Sequence, residues 1–157
     1  MTLFANDITE ARFEANLDIR RNLEAVKRDG ARVEAILTAP YHVSFRWRDL
    51  RWSLTVPAGF LAAPSVPPIL HGIVPFWGAL FEASIVHDWC YWTRCFDPLC
   101  QGDGRRRADL LLGALMRAGG ADLGDCLEVF TAVRAAGAKS YAACTFKPDN
   151  NLVEVPA

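Results

Sequence analysis

Tyr41-His42-Val43-Ser44-Phe45-Arg46-Trp47-Arg48-Asp49-Leu50-Arg51-Trp52-Ser53-Leu54-Thr55-Val56 is the stretch on which the fold turns. Tyr41, Val43, Phe45 and Trp47 alternate with His42, Ser44, Arg46 and Arg48, the two-residue period of a half-buried strand. Asp49 and Leu50 read as a turn. Beyond them Trp52, Leu54 and Val56 share one side, and Arg51, Ser53 and Thr55 the other. Two such runs around a short polar break predict an antiparallel hairpin. Upstream, Val33 to Thr38 reads as a third strand, stopped by Pro40.

Outward from the hairpin the period changes. On the N-terminal side, Ala15, Ile19, Leu23 and Val26 fall on a helical stripe with Phe13 and Leu17 beside it. Asp7 is placed to cap that helix, with Glu10 at the capping-box spacing and Gly30 to end it. On the C-terminal side, Pro57 to Pro68 holds four prolines and Gly59 and reads as a wrapped loop. Helices are then expected over Phe76 to Cys95, over Arg105 to Ala118 with Gly119-Gly120 as the stop, and over Asp122 to Ala136. The third is capped by Asp122, stopped by Gly137, and buries Leu123, Leu127, Phe130 and Val133. The tail from Thr145 shows no period and reads as an irregular arm. The expected architecture is α+β: an N-terminal helix, a small antiparallel sheet, a proline-rich loop and a C-terminal three-helix bundle. The division is a helical arm over residues 1–30, one core domain over 31–144 and a tail over 145–157.

The composition bounds the function. Of 157 residues, 52% are apolar and 22% charged, so the chain buries a core and is not intrinsically disordered. A net charge of −1 argues against a dedicated nucleic-acid binder, which carries a basic excess. The opening MTLFANDITE has two acidic residues and no apolar segment, so no secretory signal is expected. The apolar run Ile73 to Val86 is interrupted by Pro75, Gly78 and Glu82 and is too short for the roughly 20 residues that span a bilayer. Cys90, Cys95, Cys100, Cys126 and Cys144 are an odd set without CxxC spacing and are expected as unpaired thiols.

The chemistry-bearing stretch is Val86-His87-Asp88-Trp89-Cys90-Tyr91. His87 and Tyr91 are four apart and share a helix face. An imidazole and a phenol on an apolar helix need partners. Asp109 lies on the next helix, and the Cys95–Gly104 connection lets the two helices run antiparallel, so that Asp109 reaches His87. A buried carboxylate there fixes the imidazole tautomer and stabilises its protonated form. The same pair also serves as a polar network that fixes helix packing. Arg105-Arg106-Arg107 reads as a solvated helix start rather than a phosphate clamp. Three cations at the positive end of a helix dipole call for partners outside the helix. Trp47, Trp52, Trp77, Trp89 and Trp92 read mostly as core, and His42 and His71 as surface or loop residues.

Five blocks, Val56-Pro57-Ala58-Gly59-Phe60, Ser65-Val66-Pro67, His87 to Tyr91, Arg107-Ala108-Asp109 with Met116, and Ala132-Val133-Arg134-Ala135-Ala136-Gly137, resemble in order and spacing a small family of phage and prophage proteins, the domain of unknown function 1353. The resemblance covers roughly residues 32 to 141 and implies a phage origin and a fold, without a reaction. The family's Thr-Asp after Gly-Phe is absent from Leu61-Ala62-Ala63-Pro64-Ser65. Together with the helical arm before the family-like core, the irregular tail after it and the missing acid, that origin makes a virion-associated accessory protein of head or tail, made in the bacterial host cytoplasm, the leading expectation. It would dock on other virion proteins through its N-terminal helix and tail. His-Asp-x-x-Tyr with a later Asp is also similar to the helix pair of secreted phospholipases A2. That likeness implies a calcium-assisted ester hydrolase, with His87 as base, Asp88 as calcium ligand, Asp109 as orienter and Tyr91 bonded to Asp109. A cell-wall hydrolase is a further alternative. The glycine-rich calcium loop and disulfide frame of those lipases are not evident.

Overall fold

The computed structural model describes residues 8–21, 34–63 and 78–156. Strands β1 (Ile8–Phe13), β4 (Tyr41–Trp47), β5 (Leu50–Val56) and β7 (Leu152–Val155) form an antiparallel sheet in the order β1-β4-β5-β7. Strands β2 (Ile19–Arg21), β3 (Ala35–Leu37) and β6 (Leu61–Ala62) form a second antiparallel sheet in the order β2-β3-β6. Four helices follow: α1 (Ala79–Thr93), α2 (Gly104–Ala118), α3 (Leu123–Ala136) and the short α4 (Ala138–Ala142), with a 3-10 turn at Asp97–Leu99 between α1 and α2.

The hairpin is where the alternation places it. Tyr41, Val43, Phe45 and Trp47 are buried, as are Trp52, Leu54 and Val56 opposite them. Its turn residues are Arg48 and Asp49, both with positive φ, one position earlier than expected. The buried face meets the helical layer through Phe96, whose ring lies 6.1 Å from that of Phe45 and 5.9 Å from that of Trp47. Val33 to Thr38 yields β3, but β3 pairs with β2 and β6 rather than with the hairpin.

The expected N-terminal helix is overturned: residues 8–13 and 19–21 are strands. The cause is a bulge. Glu10 has φ +50, and the β1–β4 register shifts between Thr9 and Arg12. The inserted residue changes the inward spacing from two to three between Ile8 and Ala11, so the first strand shows no unbroken two-residue period. From Ala11 to Ile19 the half-buried and exposed positions alternate strictly, the strand period that the helical stripe obscured. The remainder of that expected helix lies outside the described residues, as do residues 64–77 of the proline-rich segment and the start of the next helix, His71 and Trp77 among them.

The C-terminal three-helix bundle is also corrected. There are four helices among the described residues, and the tail returns to the sheet as β7, which pairs with β5 from Arg51↔Val155 to Leu54↔Leu152. On its way the tail is fastened across the end of α1. Lys147 bonds through its backbone N–H to the Thr93 carbonyl at 2.9 Å and through Nζ to the Trp92 carbonyl at 2.8 Å. The Trp89 indole N–H donates to the Asn150 carbonyl at 2.8 Å. In α3, Asp122 caps the Asp125 amide as expected, at 2.8 Å, but Leu123 is exposed and the buried positions are Cys126, Val129, Phe130 and Ala132. All five cysteines are unpaired, four of them buried. Among the described residues no helix is long and apolar enough to cross a membrane.

Candidate functional site

Helix α1 is apolar nearly all round, and its His87 and Tyr91 face α2 one turn apart, with ring centroids 4.1 Å from each other. Asp109, in the second turn of α2, is fully buried between them and α3. His87 Nε2 lies 2.8 Å from Asp109 Oδ1, and the Tyr91 hydroxyl donates to the same oxygen at 2.7 Å. Arg134 of α3 donates from Nη1 to Oδ2 at 2.8 Å. Three helices meet on one carboxylate. The sequence reading named His87, Asp109 and Tyr91, and the structure brings them together.

Burial by itself would raise the Asp109 carboxyl. The hydrogen bond and charge of His87, with the bonds from Tyr91 and Arg134, outweigh it and hold the group below the usual carboxylate range. Burial, reinforced by Asp109, pushes the Tyr91 hydroxyl up, so Tyr91 stays a donor. An ionised Asp109 accepts only. His87 Nε2 must therefore carry its proton, and the bare nitrogen of the neutral ring is Nδ1. Among the described residues nothing bonds to Nδ1. An imidazole held in this way is chemically able to accept a proton at Nδ1, with Asp109 beside it to stabilise the imidazolium.

Two further residues complete the site without having been named for it. Arg134 is a lone charge in the Ala132–Ala136 run, and that local pattern assigns it no partner. Gly137 read as a helix stop, yet its φ of −77° and ψ of −10° are ordinary helical values. Its function is space: a Cβ there would lie 2.5 Å from the Tyr91 hydroxyl and 2.7 Å from the Val133 carbonyl.

Asp88 stands apart from this cluster. One position along α1 turns it about 100° away, onto a cleft of about 680 Å³ lined by Phe60, Leu61, Tyr91, Trp92 and Cys144 among others. Burial pushes its carboxyl up to about 6, against the opposing pull of His87 and a hydrogen bond from the Ala63 backbone. Calcium takes six to eight oxygens, roughly, often several from carboxylates. Among the described residues no three His, Cys, Asp or Glu side chains gather to hold a metal, and Asp88 is the one carboxylate on the cleft. These residues do not fit calcium.

The raised carboxyl carries a pH prediction. A free Asp titrates near 3.9, so between about 4 and 6 the folded protein holds a proton that the unfolded chain has lost, and stability falls as pH rises through that window. Above it the ionised, half-buried Asp88 costs about 1–3 kcal/mol, after discounting for its partial exposure. Asp88→Asn should therefore stabilise the protein by about that amount at pH 8 and leave it nearly unchanged at pH 4. Urea melts at the two pH values measure this; equal effects at both would show that Asp88 titrates normally.

A family model described as a protein of unknown function, DUF1353, matches residues 39–133, more than half of the chain. The match contains the hairpin, α1 and α2 with His87, Tyr91 and Asp109, and α3 to Val133, and ends one residue before Arg134. No curated protein and no solved structure matches the chain.

Proposed function

The chain belongs to the DUF1353 family of proteins of unknown function, and on that premise we propose that it is an ester hydrolase in which His87 is the general base. The observation that carries the reading is the fixed tautomer. Asp109, ionised and bonded by three donors, holds the proton on Nε2 and leaves Nδ1 bare. A water bonded to Nδ1 gives up its proton as its oxygen attacks the ester carbonyl. Asp109 stabilises the imidazolium, and Nδ1–H returns the proton to the departing alkoxide. Ester and water become acid and alcohol with no covalent intermediate. Tyr91 and Arg134 hold Asp109 in place. No step runs through calcium.

The test uses nitrophenyl esters of short and long acyl chains and phospholipid vesicles. The wild type should turn over at least one of them. His87→Gln should lose about 10²–10⁴ of the rate while keeping its fold by circular dichroism. An equally active His87→Gln variant would sink the assignment of the base.

In a second reading the chain is a phage virion accessory module and the cluster has a packing role alone, a role that the Arg134–Asp109 pair suits. A carboxylate already neutralised by a guanidinium is what a pin between three helices needs, whether or not a reaction occurs beside it. Under that reading no ester is cleaved, and His87→Gln changes stability alone.

A further inference from the structure

The block Pro57-Ala58-Gly59-Phe60 has no part in the cluster around Asp109, and neither has Asp88. The two meet at the cleft of about 680 Å³ beside α1. Phe60 is carried there by a tight turn. Its N–H donates to the Pro57 carbonyl at 3.3 Å, and Gly59, φ +84, fills the position that takes a left-handed residue. The turn is tied to β3: the Gly59 N–H donates to the Leu37 carbonyl at 2.7 Å, and the Leu37 N–H to the Phe60 carbonyl at 3.1 Å. Three rings then pack on one another. Phe60 stands edge-on to Trp89 at 5.1 Å and tilted to Trp92 at 5.9 Å, and Trp89 and Trp92 are 5.3 Å apart. Asp88 and Trp92, four apart on α1, share the face that lines the cleft.

We propose that this cleft binds a quaternary ammonium group carried on a small organic molecule. Among the described residues that line it, Asp88 is the one charged side chain. Its carboxylate takes a hydrogen bond from the Ala63 backbone, and among the described residues no lysine or arginine pairs with it. The other polar side chains on the lining are few. The Tyr91 hydroxyl is committed to Asp109, and the Cys144 thiol to the Ser140 carbonyl. A primary ammonium presents three donors, and these side chains leave it Asp88 and the Ser140 hydroxyl. A quaternary ammonium has no donor to satisfy. It needs ring faces and a counter-charge, and the aromatic wall and Asp88 supply both.

The wall is open to a ligand. Trp92 is 45% exposed and Leu61 48%, large apolar side chains left in water at the same cleft. The Trp92 ring already carries one ammonium of the chain itself: Lys147 Nζ, which is not on the cleft lining, lies 4.2 Å from its centroid. A cation in the cleft also offsets the burial that pushes the Asp88 carboxyl up. The volume falls in the range of small-molecule sites and exceeds what the ammonium head fills, which leaves room for the group that bears it. This binding is independent of the hydrolysis proposed above and is measured without an ester.

The experiment titrates the full chain at pH 8, where Asp88 is ionised, with choline and separately with neohexyl alcohol, its uncharged isostere. Tryptophan fluorescence and calorimetry are the readouts. The wild type should bind choline saturably with one site per chain, and the alcohol about tenfold more weakly or worse. Asp88→Asn keeps the shape of the side chain and is expected to be the more stable protein at this pH, so its loss of about tenfold or more in choline affinity is not a loss of fold. Trp92→Ala, at an exposed ring, should weaken binding as well, with Trp92→Phe between it and the wild type. Glu128→Gln, at an exposed carboxylate outside the cleft, should match the wild type. Phosphatidylcholine vesicles separate the two sources of such a group. Sedimentation of the chain with them, reversed by choline, identifies a lipid headgroup; choline binding without sedimentation identifies a soluble ligand. No saturable binding of choline, equal affinity for the two isosteres, or an Asp88→Asn variant that titrates like the wild type would overturn the proposal.

Discussion

Asp109→Ala should cost about 3–5 kcal/mol of folding stability at pH 7, the loss that follows when one partner of a buried charge cluster is removed. Three donors from α1 and α3 converge on its two oxygens, and the residue has no exposed surface. Deletion strands the Arg134 guanidinium, the Tyr91 hydroxyl and the His87 ring together. The sign of the pH dependence is fixed by the depressed carboxyl. A group whose folded pKa lies below its unfolded value of about 3.9 stabilises fully above that value and loses its contribution as pH falls through the lower folded one. The penalty of Asp109→Ala should therefore be complete at neutral pH and shrink in acid. Denaturant melts at pH 7 and near pH 2.5 measure it. A loss under about 1 kcal/mol at pH 7 would mean that the three donors find other partners without cost.

Gly137→Ala should destabilise by about 2–4 kcal/mol, against the direction of helix propensity, which favours Ala over Gly by about 1 kcal/mol. The backbone at Gly137 is one that Ala adopts freely. The cost comes from the added Cβ, 2.5 Å from the Tyr91 hydroxyl, which drives the phenol off Asp109. In a Tyr91→Phe background the hydroxyl is already gone, and the penalty should fall. A double-mutant cycle over the two positions reads that coupling directly. A more stable Gly137→Ala variant would show that the phenol yields freely and that Gly137 has no part in placing it.

The hairpin and the helix pair were legible because each rests on one regular period. Residues 41–47 and 52–56 each alternate without interruption, and His87, Tyr91 and Asp109 follow from the four-residue helical repeat and an antiparallel return. The N-terminal strand was illegible because the extra residue at Glu10 breaks the period where the strand begins. Strand β7 has four residues, two of them exposed, between Asn150-Asn151 and Pro156, and its signal is its partner β5 rather than its own pattern. Arg134 and Gly137 escaped for another reason. Their roles depend on which side chains of a distant helix arrive beside them, and a local pattern of charge or glycine carries no record of that. Asp88 shows the converse: adjacency to His87 in the chain placed it near the site, and the helix turned it onto a different surface.

The pairing of Leu54 with Leu152 has a consequence for the order in which the molecule is made. As the chain leaves the ribosome, β4 and β5 emerge together and close their hairpin at once. The outer edge of β5 then stays open while all four helices are synthesised, because its neighbour is β7. An open edge with buried-face tryptophan, leucine and valine is a template for another nascent chain. Arg51 at the start of β5 places a charge on that edge. Closure comes only when the tail has crossed the end of α1, so β7, made after the four described helices, is the strand that ends the exposure of this edge to neighbours in the polysome.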